Sequence, residues 1–359
     1  MDTETETLAN VSFAGCGFIG IYHVGVSACL KRHAPHLLQN KIGGSSAGAM
    51  AAVALICDLS LVDVTRGVAM LAHTANQKVM RAFNPTFSLH DKLKSMFVEI
   101  FPDDVAERAR GRLFVSMTRA SNKSNILVSD FRDKEDVIEA VCASSFVPMM
   151  SGWFPPRFRG ELALDGGYSD NIPDLGGRTI TVSPFSGDAS ICPAEHASSQ
   201  LWSVPHGSGG SVHLSKENLF KLGNAMVPPD TRKMQTICAQ GFSDAMSYLQ
   251  SSEEIKCGQC ETEICDMCTL KRSEASDQVL PSEITEVFDE IMELEANRKS
   301  SGSCILSLPS LLVSSVVQES GRQRLAVTRL LRTYVASALS LLSHMSPRPS
   351  IASCPFVNL

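Results

Sequence analysis

The chain has 359 residues, a formal net charge of -6, 44% hydrophobic and 19% charged residues. This balance fits a globular protein with one sizeable core rather than a disordered chain. The acidic charge, with no basic stripe interleaved with aromatics, argues against nucleic acid as a partner. The opening MDTETETLAN is acidic and polar, unlike a secretory leader. No run reaches the roughly 18 apolar residues expected of a membrane-crossing helix. A cytoplasmic protein in a reducing compartment is therefore expected, despite its twelve cysteines.

Residues 11–14 predict a short strand, and 21–32 a helix on the spacing of Ile21, Val24, Cys29 and Leu30. Between them lies Gly15-Cys16-Gly17-Phe18-Ile19-Gly20. A dinucleotide fingerprint would want an acidic residue at the end of the next strand, and residues 34–44 offer none. The competing readings are a bare turn and an oxyanion turn. In the latter, the N–H groups of Gly15, Cys16 and Gly17 would converge on a negative oxygen.

Residues 41–43 predict a second strand, which breaks at Gly44 into an apolar helix over 47–57. The break is Gly44-Ser45-Ser46-Ala47-Gly48, a G-x-S-x-G pentapeptide in the strand-turn-helix setting that a serine nucleophile needs. Its central position makes Ser46 the candidate, with the helix N-terminus aimed at the site.

Further strands are predicted at 112–118, 126–128, 161–164 and 179–183, with a helix at 134–142. Strands alternating with helices imply an α/β domain around a largely parallel, buried sheet. Asp165-Gly166-Gly167 follows one of these strands, which suits a base approaching a serine hydroxyl. A plain Asp-Gly turn is the alternative, and Asp170 is the nearest rival carboxylate. His196, His206 and His213 make a Ser-His-Asp triad formally available, but they fall in Ser/Gly/Pro-rich loop sequence.

Past residue 250 the composition changes. Cys257, Cys260, Cys265 and Cys268 form a compact set, readable as a zinc site or as free thiols; the short spacing between the pairs favours thiols. Residues 282–298 predict an acidic helix. Residues 327–342 carry an apolar stripe opposite arginine and hydroxyl side chains, suiting a helix packed on the core or lying in a lipid interface.

Taken together and in this order, the three motifs resemble those of the patatin-like phospholipase family. Four stretches carry the resemblance: SFAGCGFIGIYHVGVSACLKRHAP at 12–35, GSSAGA at 44–49, DGGYSDNIP at 165–173 and TITVSPFSGDASICP at 179–193. It covers roughly residues 10–250. The resemblance implies a three-layer α/β fold with a mainly parallel central sheet and a partly helical C-terminal extension. It implies a Ser46–Asp165 dyad without histidine, an oxyanion hole at Gly15, Cys16 and Gly17, and motif support from Gly20, Gly44, Gly48, Gly166 and Gly167.

The implied organisation is a catalytic domain at 10–180 and a family-specific extension at 181–250. A Cys-rich, charged linker at 251–303 and a lipid-associating region at 304–359 would follow. Cys16 and Ile19 depart from the commoner three-glycine motif with its basic residue, and the triglyceride-lipase branch shares both departures. The expected function is thus hydrolysis of triacylglycerol at lipid droplets, with neither metal nor organic cofactor. The implied partners are a neutral glycerolipid, a droplet or membrane surface, and an α/β-hydrolase-fold coactivator. The alternatives are a phospholipase A or lipid transacylase using the same dyad, or, as in adiponutrin-like branches, a catalytically weak droplet protein that binds a coactivator.

Overall fold

The computed structural model describes residues 9–77, 88–194, 203–205, 210–252 and 279–300. The first apolar run forms strand β1 (Asn10–Phe13), buried along its whole length. A 3-10 turn, Gly17–Gly20, leads into helix α1 (Ile21–His33). Strand β2 (Ile42–Ser45) is followed by helices α2 (Ala47–Ile56), α3 (Leu61–Asn76), α4 (Leu89–Ile100) and α5 (Val105–Ala109). Next come β3 (Leu113–Arg119), β4 (Asn125–Val128), α6 (Lys134–Ser144), β5 (Arg157–Phe158), β6 (Glu161–Asp165) and β7 (Thr179–Val182). A small ribbon, β8 (Ser203–Pro205) with β9 (Ser211–His213), precedes α7 (Lys216–Met226), α8 (Thr231–Ser251) and α9 (Ser282–Ser300). Ser60, Ser88, Asp133, Ser215 and Asp230 each cap a helix by accepting the backbone N–H three residues on.

The sheet runs β5-β6-β3-β2-β1-β7, with β4 also paired to β3. Its centre is parallel, as expected: β1 pairs with β2 and β7, and β2 with β3. The edge formed by β4, β5 and β6 is antiparallel. Parallel pairing needs a long crossover, and the short links between β3 and β4 and between β5 and β6 leave room only for hairpins.

This mixed edge builds the site. Ser45, the last residue of β2, pairs with Ser116 of β3, and β2 ends there. The next residue of β3, Met117, pairs with Asp165 at the end of β6, and with Ile126 on its other side. β6 therefore continues the edge that β2 vacates, which sets Asp165 beside Ser46.

Helix α2 packs on β1, β2 and β3, while α6 packs on β3 and β6. Helices α1 and α8 meet closely, because Gly25 lies against the Cys238 carbonyl and Gly241 against the Tyr22 carbonyl. The segment expected to be a linker at 251–303 is in part core. Leu280, Ile284, Val287, Phe288 and Ile291 are buried in the main cluster, and Glu295 accepts hydrogen bonds from Thr231 (2.7 Å) and pairs with His73. Apolar side chains at helical spacing in 280–291 outweigh the acidic composition. The chain divides into two units, Met1–Asn297 and Arg298–Leu359. The four-cysteine set and the stripe at 327–342 lie outside the described residues. Among the described residues no helix is long and apolar enough to cross a membrane.

Candidate active site

Ser46 sits between the end of β2 and the start of α2 with φ 51° and ψ -123°. A non-glycine residue held there stores ~1–3 kcal/mol of backbone strain. The turn is tight enough to require both flanking glycines: a Cβ at Gly44 would lie 2.4 Å, and one at Gly48 2.2 Å, from the Phe13 carbonyl oxygen. The strained peptide is pinned from behind. The Ser46 N–H donates to the Ser144 hydroxyl (2.8 Å), which donates to the Ser116 carbonyl (2.6 Å).

Asp165 is buried, and its carboxylate accepts the Gly167 N–H at 2.7 Å. The Ser46 hydroxyl lies against the same carboxylate and favours its charged form. Burial outweighs both effects and pushes the Asp165 carboxyl up to about 6. Gly166 has no room for a side chain, since a Cβ would meet the Ser116 carbonyl at 2.3 Å and the Ser45 Cβ at 2.7 Å. Asp170 is placed differently: its backbone N–H bonds the Gly166 carbonyl, and its own carbonyl accepts the Ser116 hydroxyl. Of the three loop histidines, His213 lies in β9, and His196 and His206 fall outside the described residues.

The glycine-rich turn faces Ser46, with Gly20 close enough that a Cβ would lie 2.7 Å from the Ala47 Cβ. The structure corrects the part expected of Gly15. Its N–H is already donated to the Asn171 Oδ1 (2.9 Å), and its carbonyl accepts from the Asn171 Nδ2 (3.1 Å). Gly15 is thus the clamped end of the turn rather than a free donor. The Cys16 and Gly17 N–H groups have no hydrogen-bond partner among the described residues and remain available. Ser45, one place before the nucleophile candidate, completes the clamp: its hydroxyl donates to Asn171 Oδ1 (2.7 Å). A Cβ on Gly15 would collide with Ser45 and Asn171 at 2.5 and 2.6 Å.

Cys16 and Ile19, the two departures in the motif, prove to be one feature. Both are buried in a small apolar cluster with Phe185 and with Ala225 of α7. Burial and the nearby Asp165 push the Cys16 thiol well above its usual range, so it stays neutral. His23 of α1 is wholly buried, with Nε2 2.8 Å from the Ala14 carbonyl and 3.3 Å from the Cys16 sulfur. Burial lowers its pKa to about 4, so the ring is neutral and ties α1 to the start of the turn.

Ser46 opens onto a cavity of about 90 Å³. Most of its wall comes from one face each of α2 (Met50, Ala51, Ala54), α3 (Val64, Val68, Leu71) and α4 (Leu89, Leu93, Met96), and α1 adds His23, Val24 and Ser27. The residues of α2, α3 and α4 recur at three- and four-residue spacing, so each of these helices turns an apolar stripe inward. Among the described residues no cluster of His, Cys, Asp or Glu could hold a metal ion.

Sequence reasoning missed Asn171 and Ser144. Asn171 stood inside the matched block DGGYSDNIP, yet no spacing rule marks an amide that bridges two loops distant in sequence. Ser144 closes a helix without any motif of its own.

The patatin-like phospholipase family model matches residues 11–173. Patatin-like phospholipase domain-containing protein 2 of Mus musculus is 38% identical over 249 residues, 68% of this chain and 51% of its own length. A Homo sapiens protein named as a 1-acylglycerol-3-phosphate O-acyltransferase is 39% identical over 69% of this chain and 52% of its own length. Patatin-like phospholipase domain-containing protein 4 of Homo sapiens is 35% identical over 67% of this chain and 96% of its own length. This chain thus spans about half the length of the first two relatives and almost all of the third. Among solved structures, VipD from Legionella pneumophila aligns with a TM-score of 0.35 at 11% identity, over 68% of this chain and 67% of that one. The motifs, the mixed α/β sheet that joins them and these relatives agree that the chain belongs to the patatin-like phospholipase family.

Proposed function

We propose that the protein is a serine acyl hydrolase that cleaves fatty-acyl esters of triacylglycerol through a Ser46–Asp165 dyad, at lipid-droplet surfaces in the cytoplasm. The observation that carries this reading is the meeting of the Ser46 hydroxyl and the Asp165 carboxylate at the head of an apolar cavity. Ser46 Oγ attacks the ester carbonyl carbon while its proton passes to Asp165. The carbonyl oxygen becomes an oxyanion, held by the N–H groups of Cys16 and Gly17. Collapse expels the glycerol oxygen, which takes the proton from Asp165 and leaves an acyl-Ser46 ester. Asp165 then deprotonates a water that attacks this ester, releasing the fatty acid and restoring the hydroxyl. A carboxyl raised to about 6 is still ionised at neutral pH and is more basic than an ordinary aspartate. The apolar faces of α2, α3 and α4 suit an acyl chain.

In this reading residues 10–180 carry the chemistry, residues 181–250 brace it, and residues 304–359 supply lipid association. An α/β-hydrolase-fold coactivator belongs to it as a proposed partner. The acyltransferase name of one relative supports a second reading, in which a glycerol hydroxyl replaces water in the last step. Two parallel assays decide: fatty-acid release from emulsified triacylglycerol and from phosphatidylcholine, and acyl transfer to 1-acylglycerol-3-phosphate. Release from triacylglycerol exceeding the other two supports the first reading. Transfer exceeding release supports the second, and phospholipid-only release keeps the dyad and changes the substrate.

A further inference from the structure

Helix α7 inverts the usual pattern of a surface helix, which buries apolar and exposes polar residues. Its inner side carries a buried amide. Asn218 accepts the Ser186 N–H (3.0 Å) and donates to the carbonyls of Ser186 (2.9 Å) and His213 (2.7 Å). Lower on the same side, the Ala225 carbonyl presses on Gly17 so closely that a Cβ there would lie 2.2 Å away. The helix is thus fixed on the glycine-rich turn beside Ser46. Its outer side presents Leu219, Phe220 and Leu222 at 65%, 76% and 53% exposure, beside the exposed Lys216 and Glu217.

A second exposed apolar feature lies in the loop that follows the cavity-lining Met150. Trp153 and Phe154, 47% and 86% exposed, come three and four residues after Met150 and are stiffened by Pro155 and Pro156. Arg157 is exposed beside them, whereas Arg159 is paired with the buried Asp136 at 2.6 Å. Contiguous exposed apolar side chains mark a contact surface. Exposed aromatic and aliphatic side chains, with polar groups at their rim, form the composition of a surface that lies in a lipid interface. A water-insoluble ester reaches Ser46 only where the cavity meets a lipid phase, an argument that rests on the lipid-ester reading above.

We infer that the outer face of α7 and the Trp153–Phe154 loop form an interfacial surface that seats the mouth of the cavity on a phospholipid-coated lipid surface. This surface belongs to the folded domain and is distinct from the C-terminal region to which the sequence assigned lipid association.

The test uses the full chain carrying Ser46→Ala, so that lipid is not consumed, and measures flotation with phosphatidylcholine/phosphatidylserine vesicles. Leu219→Ser with Phe220→Ser weakens partitioning by about tenfold or more, and Phe154→Ser weakens it several-fold. With Ser46 intact, the same changes lower hydrolysis of emulsified triacylglycerol in proportion and leave hydrolysis of a soluble butyrate ester unchanged. A second measurement does not depend on those variants folding. In a Trp202→Phe chain, Trp153 emission shifts to the blue on vesicle addition and is quenched by brominated lipid. Unchanged partitioning in the variants, an unresponsive Trp153, or loss of self-association with lipid binding intact would overturn the inference; the last would assign the face to a second copy of the chain. Soluble-ester cleavage that survives Ser46→Ala would instead sink the catalytic reading and leave the vesicle result standing.

Discussion

Asn171→Ala removes the strap between the glycine-rich turn and the nucleophile strand. The buried amide accepts the Gly15 N–H and the Ser45 hydroxyl, and it donates to the Gly15 carbonyl at 3.1 Å. Truncation leaves both polar groups of Gly15 facing a gap, whereas the Ser45 hydroxyl keeps the Asn171 main-chain carbonyl at 3.1 Å. A stranded buried polar group costs ~1–3 kcal/mol, so two of them lower stability by ~2–6 kcal/mol. In the proposed mechanism the turn also loses the contact that positions the Cys16 and Gly17 N–H groups for the oxyanion. Because one lost oxyanion donor costs ~100- to 1000-fold in rate, a displaced turn lowers kcat by ~100-fold. Asn171→Asp separates the two effects: it keeps both acceptor contacts, removes the donor to Gly15 and sets a carboxylate against that carbonyl. Urea unfolding and turnover of a soluble ester, measured where each variant is folded, read the two quantities. An alanine variant with an unchanged urea midpoint and kcat within twofold of wild type would refute the clamp.

Other consequences follow from the same geometry. Asp165 acts as a base only when ionised, so activity rises with pH through a midpoint near 6, as a pH–rate profile on a soluble ester will show. Its folded-state carboxyl lies above the ordinary value of 3.8, so its contribution favours folding at pH below 3.8 and is lost as pH rises through about 6. That difference is worth ~3 kcal/mol, and Asp165→Asn removes this part of the pH dependence of urea stability. Gly25→Ala sets a methyl 1.9 Å from the Cys238 carbonyl and forces α1 and α8 apart, lowering stability by ~3 kcal/mol in thermal unfolding. Ala51→Phe fills the cavity wall, so turnover of long-chain esters falls by about tenfold relative to a butyrate ester.

The features legible in the sequence were those governed by local chemistry. Strand β1, the Ser46 turn and α2 each came within a residue or two, because glycine breaks and apolar runs mark them. Asp165 was legible as a carboxylate at a strand end. What made it meet Ser46 was not: the continuation of β2's edge by antiparallel β6 depends on pairing between segments far apart in sequence. The same applies to the α1–α8 contact, where Gly25 and Gly241 have meaning only as a pair. Gly15 was expected to donate to an oxyanion because the motif contains it, and only the Asn171 side chain reveals that its N–H is taken. The acidic composition around α9 pointed to a linker, although Ile284, Val287, Phe288 and Ile291 already carried the spacing of a packed helix.

The central claim is that Ser46 is the acylated residue and Asp165 its base. A fluorophosphonate probe, followed by peptide mass spectrometry, tests it on wild type, Ser46→Ala and Asp165→Asn. The account predicts stoichiometric labelling of Ser46 in the wild type, none in Ser46→Ala, and labelling slowed by at least ~1000-fold in Asp165→Asn. Label on Ser45 or another residue, or an Asp165→Asn protein that labels at the wild-type rate, would contradict it.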